Sequence, residues 1–355
     1  MAIQKPLRFI AGKRAYERIL TQGLQVDDLT CIAAAAGGPK WLILNQMDRW
    51  LFGEWLKTRS RPLPLIGASI GAWRMACAAQ SDPIAAFDRF EQAYLAQTYS
   101  DKPDADEISR EGERILQDIL GADGVAEILT NPLFKLQVLA NRCSGLAASE
   151  NRVLQTLGFA LVVAANAMNR TWMGRWLHRG LFHHPDHKLV FSADGFPYIN
   201  TPLTPDNLQA SLAASAAIPM LMRGVRDIAD APGVWRDGGL IDYHMDLPLP
   251  PQPGVVLLPH FSATVTTGWF DKYLKHRTPL FLEDTLVVCP SAAFIASLPN
   301  SKVPDRKDFV LYAGRDEQRI RDWQKVLDLT QALAEDMANV IQNNRLPERL
   351  ERLDN

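Results

Sequence analysis

The sequence predicts an α/β fold built around a mostly parallel β-sheet. Two short apolar segments, residues 29–36 and 63–68, each lead into a glycine turn and then into a helical pattern. Continuous apolar runs without polar alternation are typical of strands buried on both faces, as in parallel sheets. Both turns then fall at the carboxyl ends of strands, the edge at which open α/β sheets bind ligands.

The other elements follow from local patterns along the chain. Residues 8–20 predict a helix that ends near Gly23, and a largely buried helix is expected to begin at Lys40. Apolar residues recurring every three or four positions predict further helices, and short apolar runs beside turn residues predict further strands. The predicted helices cover residues 83–99, 107–120, 125–129, 151–168, a stretch through Leu212, and 316–342, and the predicted strands cover residues 188–192, 196–200, 234–237, 255–258 and 285–288.

The chain has no internal repeat and no low-complexity linker, so one large domain is expected. Residues 1–28 form an N-terminal extension in this prediction, and residues 29–315 form the main domain. A helix-rich lid or insert is expected at about residues 100–185. Residues 316–355 are expected to form an amphipathic helix packed on the domain and a charged tail that frays.

The composition is that of an ordinary globular protein of 355 residues, with 47% hydrophobic and 22% charged residues. A net charge of -2 argues against a nucleic-acid partner. No run reaches ~18 apolar residues and the N-terminus lacks an apolar signal segment, so neither a membrane span nor a signal peptide is expected. The four scattered cysteines are expected to be buried free thiols in a reducing, cytoplasmic compartment: Cys31, Cys77, Cys143 and Cys289.

The candidate nucleophile is Ser69, at the centre of residues 67–71, whose sequence is Gly-Ala-Ser-Ile-Gly. A serine at a tight strand-to-helix turn has an exposed hydroxyl, and the two glycines omit side chains that would clash there. The helix N-terminus just behind the serine favours negative charge that develops on it.

A serine nucleophile needs a base, and the residues leave two sources open. One is Asp237, which begins an Asp-Gly-Gly turn. The other is a histidine of a Ser-His-Asp triad, with His244 and His260 as the candidates. A third interpretation belongs to a different class: a non-catalytic lipid- or protein-binding domain that keeps this scaffold.

The first glycine turn supplies the candidate oxyanion donors. Gly37 and Gly38 have backbone N–H groups that no side chain shields, whereas Pro39 has no N–H to donate. Lys40 begins the next helix and is expected to hold this loop or to attract an anionic head group.

Two further clusters of side chains allow either a purely structural or a functional interpretation. Four histidines crowd residues 178–187 without the regular spacing of metal ligands on a helix, so a surface loop is favoured, with no metal or other cofactor. Residues 172–182 combine tryptophans and other apolar side chains with arginines, which suits either the core or a lipid-facing lid helix.

Three motifs follow one another along the chain: Ala-Gly-Gly-Pro-Lys at residues 36–40, Gly-Ala-Ser-Ile-Gly at 67–71, and Asp-Gly-Gly at 237–239. The segment Ala-Ser-Ala-Ala-Ile-Pro, residues 214–219, stands about twenty residues before the last of them. Together they resemble the patatin-like phospholipase family over roughly residues 29–250. The ordered set is far more specific than any one of its members.

This resemblance implies a three-layer α/β/α sandwich with a mostly parallel central sheet. It also implies hydrolysis of acyl esters of lipids by a Ser-Asp dyad, with Ser69 as nucleophile and Asp237 as its base. Gly37 and Gly38 become the oxyanion hole. The expected partner is a phospholipid or other acyl ester, with transient contact at a membrane surface and no cofactor.

The chain departs from the family pattern around the glycine loop and after the Asp-Gly-Gly turn. Ala36 stands where a first glycine is usual, and Trp41 where the family often has glycine. Residues 240–248 lack the asparagine that the family tends to carry shortly before a proline. These differences surround the mouth of the site, so they bear on the substrate range and leave the dyad intact.

Overall fold

A computed structural model describes residues 4–274 and 276–353. This part of the chain forms one sheet of eleven strands with helices packed against it. The strands are β1 Leu7–Ala11, β2 Leu29–Ala34, β3 Leu63–Ala68, β4 Phe134–Cys143, β5 Leu177–His183, β6 Tyr198–Pro202, β7 Val225–Ile228, β8 Ala231–Asp237, β9 Val255–Pro259, β10 Thr285–Pro290 and β11 Leu350–Arg352. The α-helices are α1 Lys13–Gln22, α2 Asn45–Gly53, α3 Ile70–Ala78, α4 Pro83–Leu95, α5 Ala105–Leu120, α6 Gly124–Thr130, α7 Arg152–Met168, α8 Leu208–Ser215, α9 Ala292–Ser297, α10 Lys307–Leu311, α11 Asp316–Leu329, α12 Gln331–Gln342 and α13 Leu346–Arg349.

The sheet is mixed and mostly parallel. Its spatial order is β11-β1-β10-β9-β2-β3-β4-β5-β6, and off this path β8 pairs with both β4 and β7. The strands from β10 through β9, β2 and β3 to β4 are parallel neighbours. Antiparallel pairs join β1 to β10, β4 to β5, β4 to β8, and β7 to β8.

Strands β3, β9 and β10 are buried at every position, and β2 at all but one. Successive side chains of a strand point to opposite faces, so helices cover the sheet on both sides. The predicted three-layer α/β/α sandwich with a mostly parallel central sheet is therefore confirmed. The carboxyl ends of β2 and β3 lead into the two glycine turns, as the sequence predicts.

Residues 100–185 contribute more to the sheet than expected. They contain β4, a ten-residue central strand, and β5 beside it, so the expectation of a helix-rich lid or insert is wrong for residues 134–143 and 177–183. The apolar pattern of β4 is interrupted by the polar residues Lys135, Gln137 and Asn141, all of which are buried. The lid helix considered at residues 172–182 is also wrong, because a 3₁₀-helix, Arg170–Arg175, leads there into β5.

Two predictions near strand boundaries are wrong as well. The helix expected over residues 8–20 is divided into β1 and α1, since the chain first pairs along β10 and then turns at Gly12. No strand forms at residues 188–192, where the described backbone is irregular and Ser192 N–H donates to the Pro248 carbonyl at 2.6 Å. A segment joined by so few backbone hydrogen bonds is not a strand, and β6 begins six residues later, at Tyr198.

The C-terminal helix expected over residues 316–342 is two helices, α11 and α12, divided at Thr330. The Thr330 hydroxyl donates to the Leu327 carbonyl at 2.7 Å, and such a bond competes with the helical ladder. The charged tail does not fray over its described residues, since α13 follows and β11 pairs with β1. Residues 354–355 lie outside the described residues.

Among residues 4–274 and 276–353, no helix is both long enough and apolar enough to cross a bilayer.

Candidate active site

Ser69 lies at the turn between β3 and α3, where its backbone adopts φ 56° and ψ -132°. A side chain in this region strains the backbone by roughly 1–3 kcal/mol. The turn is also tight, because a Cβ on Gly71 would overlap the carbonyl oxygen of Ala34, and one on Gly67 would clash with the backbone of Ala72. The predicted strand, turn and helix around the serine are confirmed.

The Ser69 hydroxyl donates a hydrogen bond of 2.8 Å to Oδ2 of Asp237. The two residues are 168 positions apart, and the fold brings them together because β3 and β8 both pair with β4. Both side chains are almost wholly buried, with 3% of Ser69 and 6% of Asp237 exposed, so the expectation of an exposed serine hydroxyl is wrong. Ser69 instead lines a cavity. The structure thus joins the two residues that the sequence names as nucleophile and base.

The second carboxylate oxygen of Asp237 is also engaged, by the N–H of Gly239 at 2.7 Å. Asn141, on β4, donates from Nδ2 to the carbonyl oxygens of Asp237 (2.8 Å) and Gly238 (3.0 Å). The carboxylate is therefore oriented by its own turn, and the backbone of that turn is held by the neighbouring strand. Sequence reasoning missed Asn141 because it missed β4.

Burial raises the pKa of the Asp237 carboxyl above its ordinary value, although the positive charge of Arg306 and the Ser69 hydrogen bond act in the opposite direction. An ordinary carboxylate is a weak base, and one whose pKa is raised accepts a hydroxyl proton more readily. The electrostatics of the site therefore favour Asp237 as a proton acceptor.

Ser215 fixes the turn from the other side. Its hydroxyl accepts a hydrogen bond from the N–H of Ser69 at 2.8 Å and donates to the carbonyl of Leu139 at 2.6 Å. Ser215 belongs to the Ala-Ser-Ala-Ala-Ile-Pro segment, which the sequence analysis singled out without a role. The position of Ser215 gives the segment a structural role, because its hydroxyl links the strained backbone of Ser69 to β4.

The glycine turn lies beside the serine, and its two glycines differ in position. Gly38 lines the cavity next to Ser69 and has φ 57°, whereas a Cβ on Gly37 would lie 2.8 Å from the ring of Phe261. Within the described residues, neither N–H donates to another protein group. Ile70 also lines the cavity at the first position of α3, where an N–H has no acceptor inside the helix.

The N–H of Ile70 is thus a further candidate oxyanion donor, which was not predicted from the sequence. The residue after the nucleophile commonly serves this purpose at such turns, and that rule is the signal that could have found it.

A cavity of about 1060 Å³ opens beside Ser69. Its walls come from α3, α5, the segment after α8, α10 and the start of α11. Most of the lining side chains are apolar, and they include Trp73, Ile108, Ile115, Leu221, Met222 and Phe309. A pocket of this size and character suits a ligand with a long apolar part.

Lys40 does not line this cavity. Its Nζ lies 4.4 Å from the ring centroid of Phe261 and 5.9 Å from that of Tyr243, behind the glycine turn. Burial lowers the pKa of Lys40. Of the two roles expected for this lysine, its position fits holding the loop.

Three arginines line the cavity, Arg306, Arg315 and Arg321, and the one beside the glycine turn is Arg306, just before α10. Its Nε lies 3.1 Å from the point that a Cβ on Gly38 would occupy. The adjacent carboxylate of Asp305 pairs with Lys302 at 2.9 Å, and Arg306 forms no ion pair within residues 4–274 and 276–353. Arg306 was not predicted, because it lies in an ordinary charged turn far from the motifs.

The histidines considered as alternative bases do not contact the serine through a hydrogen bond. The Ser69 hydroxyl points to Asp237, whereas His244 Nδ1 accepts from Thr266 N–H at 3.0 Å and His260 Nδ1 lies 2.6 Å from the Ser262 carbonyl oxygen. Both rings are buried, and their centroids are 4.4 Å apart. Burial lowers the pKa of His260 to about 4 and that of His244 well below its ordinary value.

The structure also describes the side chains that could bind a metal ion and the four cysteines. Among the described residues, no group of three or more histidine, cysteine or acidic side chains is placed to hold a metal ion. The four cysteines are free and buried, as the sequence predicts.

No family model, no curated protein and no solved structure matches this chain.

Proposed function

We propose that this chain is a serine acyl hydrolase of the patatin-like type, which cleaves acyl esters of lipids by a Ser-Asp dyad. The observation that carries the proposal is the 2.8 Å hydrogen bond from the Ser69 hydroxyl to the buried carboxylate of Asp237, beside an apolar cavity. The motifs around both residues and their order along the chain support the same assignment.

The first half-reaction forms an acyl-serine. Oγ of Ser69 bonds to the ester carbonyl carbon while its proton passes to Oδ2 of Asp237. The electron pair of the carbonyl moves onto its oxygen, which the N–H groups of the Gly37–Gly38 turn and of Ile70 stabilise. The bond from carbon to the alcohol oxygen then breaks, and the departing alcohol takes the proton from Asp237.

The second half-reaction releases the acid. Water attacks the acyl carbon and gives a proton to Asp237, and the oxyanion again rests on the same donors. The bond to Oγ then breaks, and Ser69 recovers its proton from Asp237. One carboxylate thus serves as base and acid in turn, which requires a pKa closer to neutrality than that of an ordinary aspartate.

The cavity supports a lipid substrate with a long acyl chain. Its apolar walls are wide enough for such a chain, and Arg306 supplies a positive charge near the reacting carbonyl. A guanidinium favours phosphate or carboxylate groups, so a phospholipid or lysophospholipid is the substrate we favour. The free, buried cysteines support a reducing, cytoplasmic compartment.

The test compares Asp237→Asn with the unaltered protein on acyl esters. Asparagine keeps the shape of the side chain but cannot take the proton, so kcat/KM should fall by roughly 10²–10⁴. Ser69→Ala should abolish both turnover and covalent labelling by a fluorophosphonate probe. Hydrolysis of phospholipids and of short-chain esters, measured side by side, identifies the preferred substrate.

The matched control is His260→Gln, which alters the histidine of the alternative triad. Its activity should stay close to that of the unaltered protein, since His260 forms no hydrogen bond with Ser69. Retained activity in Asp237→Asn together with a large loss in His260→Gln would refute the dyad. Absence of labelling at Ser69 in the folded protein would favour the non-catalytic interpretation.

A further inference from the structure

Helix α7 presents an apolar face to solvent. Its buried side packs on a small separate core through Phe159 and Val162, and Gly158 lies against the backbone at Ala147. The opposite side carries large apolar residues with exposed fractions from 43% to 72%. We call these residues the α7 face: Val153, Leu154, Leu157, Leu161, Val163 and Met168.

The sequence of α7 has none of the charges that a solvent-facing helix normally carries. Arg152, at its first position, is the only charged residue between positions 151 and 169. The helix is about 25 Å long at 1.5 Å per residue, so the apolar face runs along its full length. A contiguous exposed apolar surface of this kind marks an interaction site.

Helix α7 contacts the segment that leads to the cavity. The Met220 N–H donates to the Gln155 side chain at 2.8 Å, and the Met220 sulfur lies 3.7 Å from the Thr156 hydroxyl. Met220 is itself exposed, and its neighbours Leu221 and Met222 line the cavity that holds Ser69. Met220 thus joins α7 to a segment whose next two residues line the cavity beside Ser69.

Partly exposed tryptophans and basic groups border the same surface. Trp172, just after α7, lies 5.4 Å from the guanidinium of Arg175, and Trp269 lies 5.2 Å from the ammonium of Lys272. Trp269 packs on Phe270, which in turn packs on Phe159 of α7. Tryptophan side chains favour the boundary between hydrocarbon and water, and basic groups favour anionic head groups.

We propose that the α7 face docks on a lipid surface that carries anionic head groups, with α7 lying in its plane. Apolar side chains on one side and basic groups at the border are the features of helices that bind this way. The alternative occupant is a second copy of this chain, and the tryptophans and basic groups at the border favour a lipid surface over it. The choice of a lipid surface rests on the proposed function, whereas the exposure of α7 does not.

The test uses full-length protein with Ser69→Ala, so that binding is measured without turnover. Vesicles of equal parts phosphatidylcholine and phosphatidylglycerol should bind it, and vesicles of phosphatidylcholine alone should bind it more weakly. Adding Leu161→Gln should weaken binding about tenfold, because one leucine no longer enters the hydrocarbon. The matched control is Leu20→Gln on α1, since Leu20 is 50% exposed and Leu161 is 48% exposed.

The proposal is overturned if the Ser69→Ala protein does not bind vesicles, or if Leu161→Gln and Leu20→Gln bind equally well. It is also overturned if Leu161→Gln turns a dimer into a monomer without changing vesicle binding, a result that assigns the face to a second copy. Hydrolysis of a short-chain soluble ester by protein that retains Ser69 separates the two proposals. Activity without vesicle binding refutes the docking surface alone, and vesicle binding without any hydrolysis refutes the proposed function alone.

Discussion

The carboxyl group of Asp237 is buried at a cost in stability. Burial raises its pKa, which means that the folded protein holds the proton more tightly than the unfolded chain does. The Ser69 backbone is also strained, at φ 56°. The two residues that meet at 2.8 Å are therefore both placed at some expense to folding, which is common at functional sites.

Asp237→Asn should stabilise the fold at neutral and alkaline pH. Below the unfolded pKa of about 3.9 the carboxyl is protonated in both states, so the variant gains little. As the pH rises toward the raised pKa of the folded state, ionisation increasingly favours the unfolded chain, and the unaltered protein loses stability. Urea unfolding of both proteins at about pH 4 and about pH 8 measures the difference.

Asp106→Asn is the control for this prediction because its effect on stability at high pH should be opposite in sign. The hydrogen bond from Arg223 lowers the pKa of Asp106 on the surface, so this carboxylate adds stability above its unfolded pKa and loses it as the pH falls. The Asp106→Asn protein should be slightly less stable at about pH 8 and nearly equal at low pH. A loss of stability in Asp237→Asn at high pH would contradict the proposed cost of the buried carboxylate.

At this scale the sequence predicted the residues with a distinctive local pattern and missed those without one. Ser69 and Asp237 lie in glycine turns that the chain marks clearly. Asn141 and Arg306 lie in no such pattern and reach the site only through tertiary structure. Ser215 lies in a recognised segment, but its hydrogen bond to Ser69 also forms only in the fold. Their roles depend on which strands are neighbours, and that information is absent from any short segment.

The element that presents Ser69, the proposed nucleophile, is the turn from β3 into α3, which packs against the end of β2. A Cβ on Gly71 would overlap the Ala34 carbonyl oxygen, and that atom belongs to backbone and cannot rotate away. Gly71→Ala should therefore push α3 off β2, which costs roughly 1–3 kcal/mol of unfolding free energy. Displacing the serine by about 1 Å should lower kcat/KM on the order of 10².

Gly112→Ala supplies the matched substitution for stability. Gly112 lies inside α5, and the closest atom to its added Cβ is the flexible end of Met222, at 3.1 Å. That methyl group can move, and alanine favours helices more than glycine does. The unfolding free energy of this variant should therefore stay unchanged or rise by up to about 1 kcal/mol. Equal unfolding free energies for the two variants in urea would mean that the Gly71 contact is not tight.

Strands with a continuous apolar pattern were predicted, whereas β4, whose pattern is interrupted by polar residues, was not. The apolar runs of β2, β3, β9 and β10 are continuous, so their strands are evident. The polar groups within β4 find partners inside the fold, as when Gln137 donates to the His187 carbonyl at 2.8 Å. Its pattern became consistent with a strand only once those partners were known.

The described residues are organised around one sheet, and the C-terminal strand β11 covers the edge of β1. β11 pairs with β1, although about 340 residues separate them. Arg349 donates to the Leu7 carbonyl at 2.9 Å and pairs with Asp336 at 3.0 Å, and Leu346 is 1% exposed. The charged composition of the tail suggested fraying, because its apolar anchor is small and its partner strand lies at the other end of the sequence.

Removing residues 346–355 should therefore destabilise the protein and expose the edge of β1. Loss of the buried Leu346 alone costs roughly 2–5 kcal/mol, and an unpaired edge strand favours association between chains. Urea unfolding and light scattering measure the two effects. Arg349→Met keeps the tail and removes its ion pair, so it should lose less stability and remain monodisperse if the unaltered protein is.

The truncation should leave the active site intact in whatever fraction is folded. β1, β10, β9 and β2 separate β11 from β3, which carries Ser69 at its end. Fluorophosphonate labelling of Ser69, normalised to folded protein, should therefore match that of the full chain at a temperature below both unfolding transitions. Equal stability of the truncated and full chains would refute the edge-closing role of β11, whereas loss of labelling in folded, truncated protein would show that the tail also shapes the site.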